Sequence, residues 1–413
     1  LNFARSRSLD PRITFTRASV GTYVGRDGLI KTAGEDEARF DHDPDTLESL
    51  GLLIEEQRTN QIPVSDFSSG WATSNASFAT GISDPEGGTN ARKLVATTTN
   101  NTTACFITYN TSITTGTTYT QSVWAKANAF PVSGNAFYVL QMAPSTGFDS
   151  RYQNFDLSNG TLGNGDVEGA TIEAFPNGWY RCSITQTSIS TVSGRIAISL
   201  QNSPTDSRLQ NISTGSANND GIYIWGAQLE VGSFPTSYIP TSGAAVTRAL
   251  DSASITGESF SSWFNNDEGT LVLTADIGDL SVPNQSQVSI ENTANPSGRF
   301  LAIGYRTGGN ASGGVGAWYT DNGTTSAYFG ISAGVTSYSE WKQSFAYKLN
   351  DFAASANGST PVSDNTGGIN TTPFDRLRFG IYYFGDTMDT GHIKSFSYYP
   401  KRLTDAQLQL LTS

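Results

Sequence analysis

Residues 226–250, GAQLEVGSFPTSYIPTSGAAVTRAL, connect two long regions that are rich in β-forming residues. The two prolines of this connector fix their own φ angles and bias the residues before them away from helix. Phe234, Tyr238 and Ile239 are apolar, so we expect them to dock the connector onto the strand that precedes it, IYIWGAQLE. The connector therefore predicts a fixed seam between two folded units, with no hinge.

Two further expectations concern the seam and the strands beside it. Arg248 and Asp251 lie where the connector enters the second region, and we expect them to pair. The tryptophans Trp124, Trp179 and Trp225 each lie within a strand-like segment and should be buried.

Both sides of the connector carry many short segments of alternating β-formers, separated by Gly, Asn, Ser and Pro. This spacing is typical of antiparallel sandwiches and jelly rolls. The sequence predicts an all-β protein with two antiparallel β-sandwich (jelly-roll) domains, an N-terminal arm and a short C-terminal helix. The predicted units are an arm over residues 1–62, a first sandwich over 63–240 and a second over 241–413.

The two ends of the chain carry local signals of their own. Arg26-Asp27-Gly28 lies between alternating segments and predicts a β-hairpin, with Gly28 at positive φ. The arm is too small for its own core, so we expect it to pack on the following domains or on neighbouring subunits. Near the C-terminus, Thr404 and Gln407 have the spacing of a capping box, ahead of an apolar stripe of Leu408, Leu410 and Leu411.

The composition restricts the classes of partner. Hydrophobic residues make up 37% of the 413 residues and charged residues only 15%, with a net charge of −12. A negative surface without a basic patch disfavours nucleic-acid binding. No run approaches the roughly 18 apolar residues of a membrane span, and no signal peptide is recognised, so we expect no membrane insertion.

Cysteine and histidine are scarce. Cys105 and Cys182 could form one disulfide, but we expect buried, unpaired thiols. They cannot build a cysteine-type zinc site, and with His42 and His392 as the two histidines, transition-metal and histidine acid–base catalysis are disfavoured. We therefore expect a surface position for His42 and a structural role for His392.

Calcium is the metal that best suits this sequence, because it needs only oxygen ligands. Asp220 precedes a predicted strand in NNDGIYIW, and Asp321 lies in the turn YTDNGTT. Asx turns also explain both segments, and we favour that interpretation over calcium binding. We expect no cofactor, with calcium as the one alternative.

The sequence contains no convincing pattern of catalytic residues. The acidic segment EDEARFDHDPD lacks the apolar surroundings that tune a carboxyl pKa, so a solvated surface or a subunit contact is expected. No nucleophile elbow or phosphate-binding loop occurs. We predict no catalytic residues and a protein that is not an enzyme.

Aromatic residues offer a candidate glycan site. Sugars stack on exposed aromatic faces and hydrogen-bond to nearby Asn and Asp side chains. Trp318 and Tyr319, followed by Asp321 and Asn322, have these residue types, as does Trp71. The alternative is that these tryptophans belong to the sandwich cores.

Several segments together resemble a family of bacteriophage virion proteins. They are SLDPRITFTRASVGTYVGRDGLIKTAG, EARFDHDP, LGLLIEEQRTN, IWGAQLEVGSFPTSYIPTSGAAVTRA and GHIKSFSYYPKRLTDAQLQLLTS. Relatives of this kind are head spikes, minor capsid proteins, tail fibres and concanavalin-A-like lectin proteins. The resemblance implies a carbohydrate-binding-module-like jelly roll followed by a laminin-G or concanavalin-A-like sandwich, and it transfers no catalytic residue.

The resemblance sets the functional expectation. It implies a non-enzymatic component of the virion surface, a minor capsid or head decoration spike or fibre, assembled in the host cytoplasm. We expect its arm to contact other capsid or tail proteins, the assembly to be a homotrimer, and the sandwiches to bind cell-surface glycans weakly. The alternative is a tail-associated receptor-binding protein or a glycan depolymerase or lyase.

Overall fold

The structure is a computed structural model. It describes residues 1–6, 8–97, 103–128, 139–212, 220–278, 285–296, 300–308, 311–321, 324–331, 334–369, 372–380 and 390–413. The fold is almost entirely β, as predicted, and its antiparallel sheets pack as two sandwiches.

The N-terminal region contributes strands to both sheets of the second sandwich, which we call the terminal sandwich, and its hairpin packs on the middle sandwich. Its strands are β1 (Thr14–Thr16), β2 (Gly21–Val24), β3 (Ile30–Ala33), β4 (Arg39–His42), β5 (Ser49–Ile54) and β6 (Arg58–Asn60).

The middle sandwich follows. Its strands are β7 (Ala72–Ser74), β8 (Ala76–Ile82), β9 (Ala91–Ala96), β10 (Phe106–Ile113), β11 (Thr118–Lys126), β12 (Val139–Met142), β13 (Gln153–Asp156), β14 (Thr161–Gly165), β15 (Gly169–Phe175), β16 (Trp179–Thr187), β17 (Val192–Gln201) and β18 (Gly221–Val231). One sheet has the order β14-β13-β12-β17-β10-β7, and the other has the order β15-β16-β11-β18-β9-β8.

The terminal sandwich completes the chain. Its elements are β19 (Val246–Arg248), β20 (Ser252–Thr256), α1 (Glu258–Ser261), β21 (Glu268–Ala275), β22 (Gln285–Glu291), β23 (Phe300–Gly308), β24 (Ala311–Asp321), β25 (Thr324–Ile331), β26 (Trp341–Lys348), β27 (Phe352–Ala356), β28 (Val362–Asp364), β29 (Arg376–Phe379), β30 (Gly391–Tyr399) and α2 (Asp405–Leu411).

Strands from both ends of the chain share the sheets of the terminal sandwich. One sheet has the order β1-β20-β29-β22-β23-β24-β25, and the other has the order β28-β27-β26-β21-β30-β5-β4. Strand β5 pairs with β30, so that Leu52 lies opposite Ile393, and the side chains of Leu52 and Ile54 enter the core. The N-terminal region thus finds its hydrophobic partner within the same chain. The domain boundaries at residues 62 and 240 stay predictions.

The local signals at the two ends are present in the structure. Strands β2 and β3 form the predicted hairpin, with Gly28 at a φ of 75°. Helix α2 begins with the predicted capping box of Thr404 and Gln407. Of the expected apolar stripe, Leu408 is buried but Leu410 is 73% exposed, so the stripe is narrower than predicted.

The connector is docked, as its apolar residues predict. Tyr238 packs with its ring centroid 4.4 Å from that of Trp225, and Phe234 and Ile239 are buried as well. The predicted burial of Trp124, Trp179 and Trp225 is confirmed, because these rings form a second core outside the middle sandwich. Strand β11 is buried on both faces for this reason, with Val123 in the sandwich core and Trp124 in the outer one.

A buried ionic network, which we call the seam cluster, joins the N-terminal region to the connector and to the start of the terminal sandwich. It consists of Arg17, Arg39, Glu55, Arg248 and Asp251. Arg39 contacts both carboxylates, and its Nη1 lies 2.6 Å from Glu55 Oε2. The expected pair between Arg248 and Asp251 is wrong: Arg248 Nη1 lies 2.8 Å from Glu55 Oε2. The carboxylate of Asp251 is already engaged by Arg17, Arg39 and the backbone N–H of Glu55.

Cys105 and Cys182 are both free and buried, as expected, and burial raises the pKa of each thiol. Within the described part of the chain, no helix is long and apolar enough to cross a membrane.

We predict that Asp251→Asn strongly destabilises the protein. The substitution keeps the shape of the side chain but leaves the buried charges of Arg17 and Arg39 with one carboxylate fewer. Breaking a buried pair by removing one charge typically lowers the free energy of unfolding by about 3–5 kcal/mol.

The matched control is Asp10→Asn, which removes the carboxylate of an ion pair whose Arg12 side chain is 45% exposed. Exposed pairs contribute about 0–1 kcal/mol. Urea unfolding of the two variants measures the contrast, and an Asp251→Asn variant as stable as Asp10→Asn would contradict a structural role for the seam cluster.

Candidate functional site

A cavity of about 610 Å³ opens between the two sandwiches, and we call it the cleft. One wall is the outer face of β15 and β16 in the middle sandwich. The opposite wall comes from β4, from the turn after β21 and from the start of β30. The hairpin β2–β3 and the connector also line it. Its position depends on the seam, because residues of the connector and of the N-terminal region line it together.

His392 fastens the N-terminal region to the terminal sandwich beside the cleft. Its Nδ1 lies 2.9 Å from Asp276 Oδ2, and its Nε2 lies 3.0 Å from Asp41 Oδ2. Burial alone would lower the pKa of His392, but the charges of Asp276 and Asp41 and their hydrogen bonds outweigh burial and raise it to about 10. The ring is therefore an imidazolium that donates from both nitrogens. The structural role expected for His392 agrees with this geometry.

Glu173 projects from the opposite wall. It shares an accessible face of β15 with Thr171 and lies directly across the strand pair from Arg181 on β16. The side chain is accessible from the cleft, yet protein surrounds it. Burial, with the charges of Asp41 and Asp43, outweighs the attraction of Arg181 and raises the pKa of Glu173 to about 7. No described residue forms a hydrogen bond or ion pair with this carboxyl group.

Arg181 is the cation directly opposite Glu173 on the neighbouring strand, and three other residues hold its guanidinium group. Its guanidinium lies 4.5 Å from the ring centroid of Trp124, and Nη2 donates to the carbonyl oxygen of Thr236 at 2.6 Å and to Ser122 Oγ at 3.2 Å. These contacts hold Arg181 against the wall, where its charge partly offsets that of Glu173 when Glu173 is ionised.

Tyr338 supplies an accessible aromatic ring. Its side chain is 56% exposed, and it lines the cleft from a turn that precedes β26. The backbone there has a φ of 57°, which is uncommon for an aromatic residue, and the Tyr338 N–H donates to the carbonyl oxygen of Ile277 at 2.7 Å. Surrounding protein and the charge of Glu173 raise the pKa of Tyr338, which places the two side chains in one electrostatic environment.

The other carboxylates of the cleft are held by the protein. Asp41 accepts from the Val24 N–H at 2.6 Å as well as from His392. Asp43 accepts from the backbone N–H groups of Asp45 and Thr46. These residues belong to the acidic segment that the sequence assigns to a solvated surface or a subunit contact. The structure places Asp41 and Asp43 in the cleft instead, because β4 pairs into the terminal sandwich.

The aromatic residues that the sequence offered as a glycan site lie away from the cleft. Trp318 is 2% exposed, Tyr319 is fully buried and Trp71 is 8% exposed, so none presents an open ring face. Both faces of β24 are covered: Tyr319 belongs to the main core, and Trp318 packs against Phe300 on the other side.

The remaining predicted ligands form no common site. Asp321 ends β24 and does not line the cleft, and Asn322 lies outside the described residues. Asp220 is 1% exposed and precedes β18. In the described ranges, no group of three or more His, Cys, Asp or Glu side chains could hold a metal ion.

Glu173 and Tyr338 were not predicted from the sequence as residues of a binding site. Period-two alternation in GATIEAF puts Thr171 and Glu173 on one face, which could have indicated an accessible polar wall. Nothing in the local sequence distinguishes Tyr338 from the other tyrosines of the chain.

No protein-family model matches the chain, and no curated protein matches it. Among solved structures, it is similar to the CBM40 of a Ruminococcus gnavus IT-sialidase bound to alpha2,3 sialyllactose, at 20% identity and a TM-score of 0.30 over 36% of this chain and 83% of that one. It is also similar to Trypanosoma rangeli sialidase in complex with the inhibitor DANA, at 10% identity and a TM-score of 0.28 over 80% of this chain and 67% of that one. A GH43 protein from Bacillus licheniformis has a TM-score of 0.23 at 9% identity, over 79% of this chain and 74% of that one. Likenesses this weak carry no argument about the cleft.

The ion pairs of His392 with Asp41 and Asp276, which we call the His392 clamp, should make the stability of the folded protein depend on pH. The pKa of His392 in the folded protein, about 10, is above the value of about 6.5 in an unfolded chain. The clamp is therefore fully stabilising below about pH 6.5 and is lost as the pH rises toward 10. Between about pH 7 and 9, we expect this group to lower the free energy of unfolding by on the order of 2 kcal/mol.

Urea unfolding at the two pH values measures this fall. His392→Gln should remove it, whereas His42→Gln, which changes the other histidine, should keep it. An equal fall in the His392→Gln variant would show that other groups cause the pH dependence.

Proposed function

We propose that this protein binds glycans in the cleft without cleaving them. The observation that carries the proposal is the pairing of an accessible aromatic ring, Tyr338, with an unpartnered carboxyl group, Glu173, across one cavity. A pyranose has an apolar C–H face that packs on an aromatic ring and hydroxyl groups that a carboxyl group can bind. A volume of about 610 Å³ falls within the range of small-ligand sites.

The cleft walls support binding of a polyol. The hydroxyl groups of Thr171 and Ser183 line the same wall as Glu173 and lie 2.6 Å apart, and Thr185 continues that row. Side chains of this kind can both donate and accept hydrogen bonds. A mostly apolar cavity with a few polar groups on its walls is the usual form of a small-ligand site.

Binding is better supported than hydrolysis. Glycosidases generally need two carboxyl groups, one acid and one base or nucleophile, on either side of the scissile bond. In the cleft Asp41, Asp43 and Asp276 each accept hydrogen bonds from the protein, which leaves Glu173 as the available carboxyl among the described residues. One observation favours the alternative, a glycan depolymerase: the pKa of Glu173, near 7, would suit a general acid.

The biological setting that we propose is the virion surface of a bacteriophage. The support is the resemblance of the arm, the connector and the C-terminal end to virion spike and fibre proteins. In this proposal the protein is a homotrimer attached to capsid or tail proteins, and the cleft holds host-surface glycans. Mass spectrometry and cryo-microscopy of purified virions test the setting, and absence of the protein from particles would refute it.

We predict that Tyr338→Ala weakens glycan binding about tenfold, because the sugar loses its stacking surface. The variant keeps a β-carbon at the same positive φ and removes an accessible side chain, so the fold should be unaffected. A glycan array finds the ligand, and calorimetry then compares the affinities of the variants.

Tyr399→Ala is the matched control, since Tyr399 is half-buried in the same sandwich and does not line the cleft. Equal affinities for the two variants would remove Tyr338 from the site. Reducing-sugar release from the bound glycan, lost in Glu173→Gln, would support the depolymerase instead.

A further inference from the structure

The charges that line the cleft are predominantly negative. Its carboxyl groups come from both walls, and its cations are Arg181 and the imidazolium of His392. Glu55 also reaches the cleft, but the arginines of the seam cluster neutralise it. The groups that face Glu173 or share its electrostatic environment are Arg181, Asp41, Asp43, His392 and Tyr338.

Neither cation is placed to balance Glu173 fully. The two ring nitrogens of His392 are both directed to carboxylates, Asp276 and Asp41. Arg181 is 8% exposed, and its Nη2 and the face of its guanidinium are engaged by Thr236, Ser122 and Trp124. An ionised Glu173 therefore still faces the charges of Asp41 and Asp43, and a cation from outside the protein would relieve that repulsion.

We propose that the glycan bound in the cleft carries a free ammonium group, as an unacetylated amino sugar does, and that this ammonium pairs with Glu173. The inference rests on the proposed glycan binding and names the chemical class of the sugar. Tyr338 suits the same ligand, because an aromatic ring attracts a cation near its face as well as the C–H face of a sugar.

The same charges disfavour acidic sugars. A uronic or sialic acid would bring a carboxylate against Asp41, Asp43 and Glu173. Like charges in a partly enclosed site repel more strongly than in open solvent. A neutral N-acetylated sugar meets no such repulsion, but it offers Glu173 only neutral hydrogen-bond donors and no opposite charge.

Binding of an ammonium should be coupled to the ionisation of Glu173. A neighbouring cation favours the charged form of a carboxyl group, so the protein releases a proton when it binds the ligand near neutral pH. The affinity for the amino sugar should therefore rise as the pH approaches the pKa of Glu173, about 7, and fall again once the ammonium group of the sugar, whose own pKa lies near neutrality, loses its proton.

The test is calorimetry of the full chain with three matched oligosaccharides. They are a glucosamine trimer, the same trimer fully N-acetylated, and a glucuronic acid oligomer of equal length. At neutral pH we expect the glucosamine trimer to bind roughly tenfold more tightly than its acetylated form, since a hydrogen bond to a charged group is stronger than a neutral one. Glu173→Gln should abolish this preference and its pH dependence while the acetylated trimer still binds.

Glu168→Gln is the matched control, because Glu168 is an exposed carboxylate of the middle sandwich that does not line the cleft. It should keep the preference. If the acetylated or the acidic sugar binds as tightly as the glucosamine trimer, the charge inference is wrong and glycan binding stands. If no sugar binds in the cleft, the proposed function itself fails.

Discussion

The contacts of the buried Arg39 guanidinium group hold the N-terminal region, the connector and the start of the terminal sandwich together. The group contacts both carboxylates of the seam cluster, and Nη1 also donates to the carbonyl oxygen of Thr22 and to Ser237 Oγ, each at 2.8 Å. One side chain thus joins strand β4 to the hairpin, to the connector and to the segment before β20. Burial would lower the pKa of Arg39, but Asp251 and Glu55 outweigh it and keep the group charged. A charge in this position is stable only while its partners stay in place.

The cleft follows from this seam. The connector and the N-terminal region are fixed against each other, so the outer face of β15 and β16 lies opposite β4 and the start of β30. The His392 clamp fixes the second wall. Each wall alone would be an ordinary accessible sheet surface. Because the two walls face each other, Tyr338 and Glu173 line one cavity, and the glycan binding that we propose depends on that geometry.

Local sequence predicts the features that depend on neighbouring residues. The hairpin at Gly28, the capping box at Thr404 and the docked connector all follow from turn, cap and apolar residues within a few positions of one another. The pairing of β5 with β30 could not be predicted in this way, since hydrogen bonds between such distant segments leave no local pattern. The cleft was missed for the same reason, because its groups come from separate parts of the chain. Trp318 and Tyr319, which were offered as glycan-site residues, are buried because both faces of their strand are covered, and the burial of Trp318 agrees with the alternative that the tryptophans belong to the sandwich cores.

A crystal structure of the protein with a bound oligosaccharide would show whether a sugar binds between the two sandwiches, against Tyr338 and Glu173. We expect a sugar ring packed on Tyr338, with a polar group of the sugar within hydrogen-bond distance of the Glu173 carboxyl group. An oligosaccharide bound on another surface, with the cleft free of sugar, would contradict this expectation.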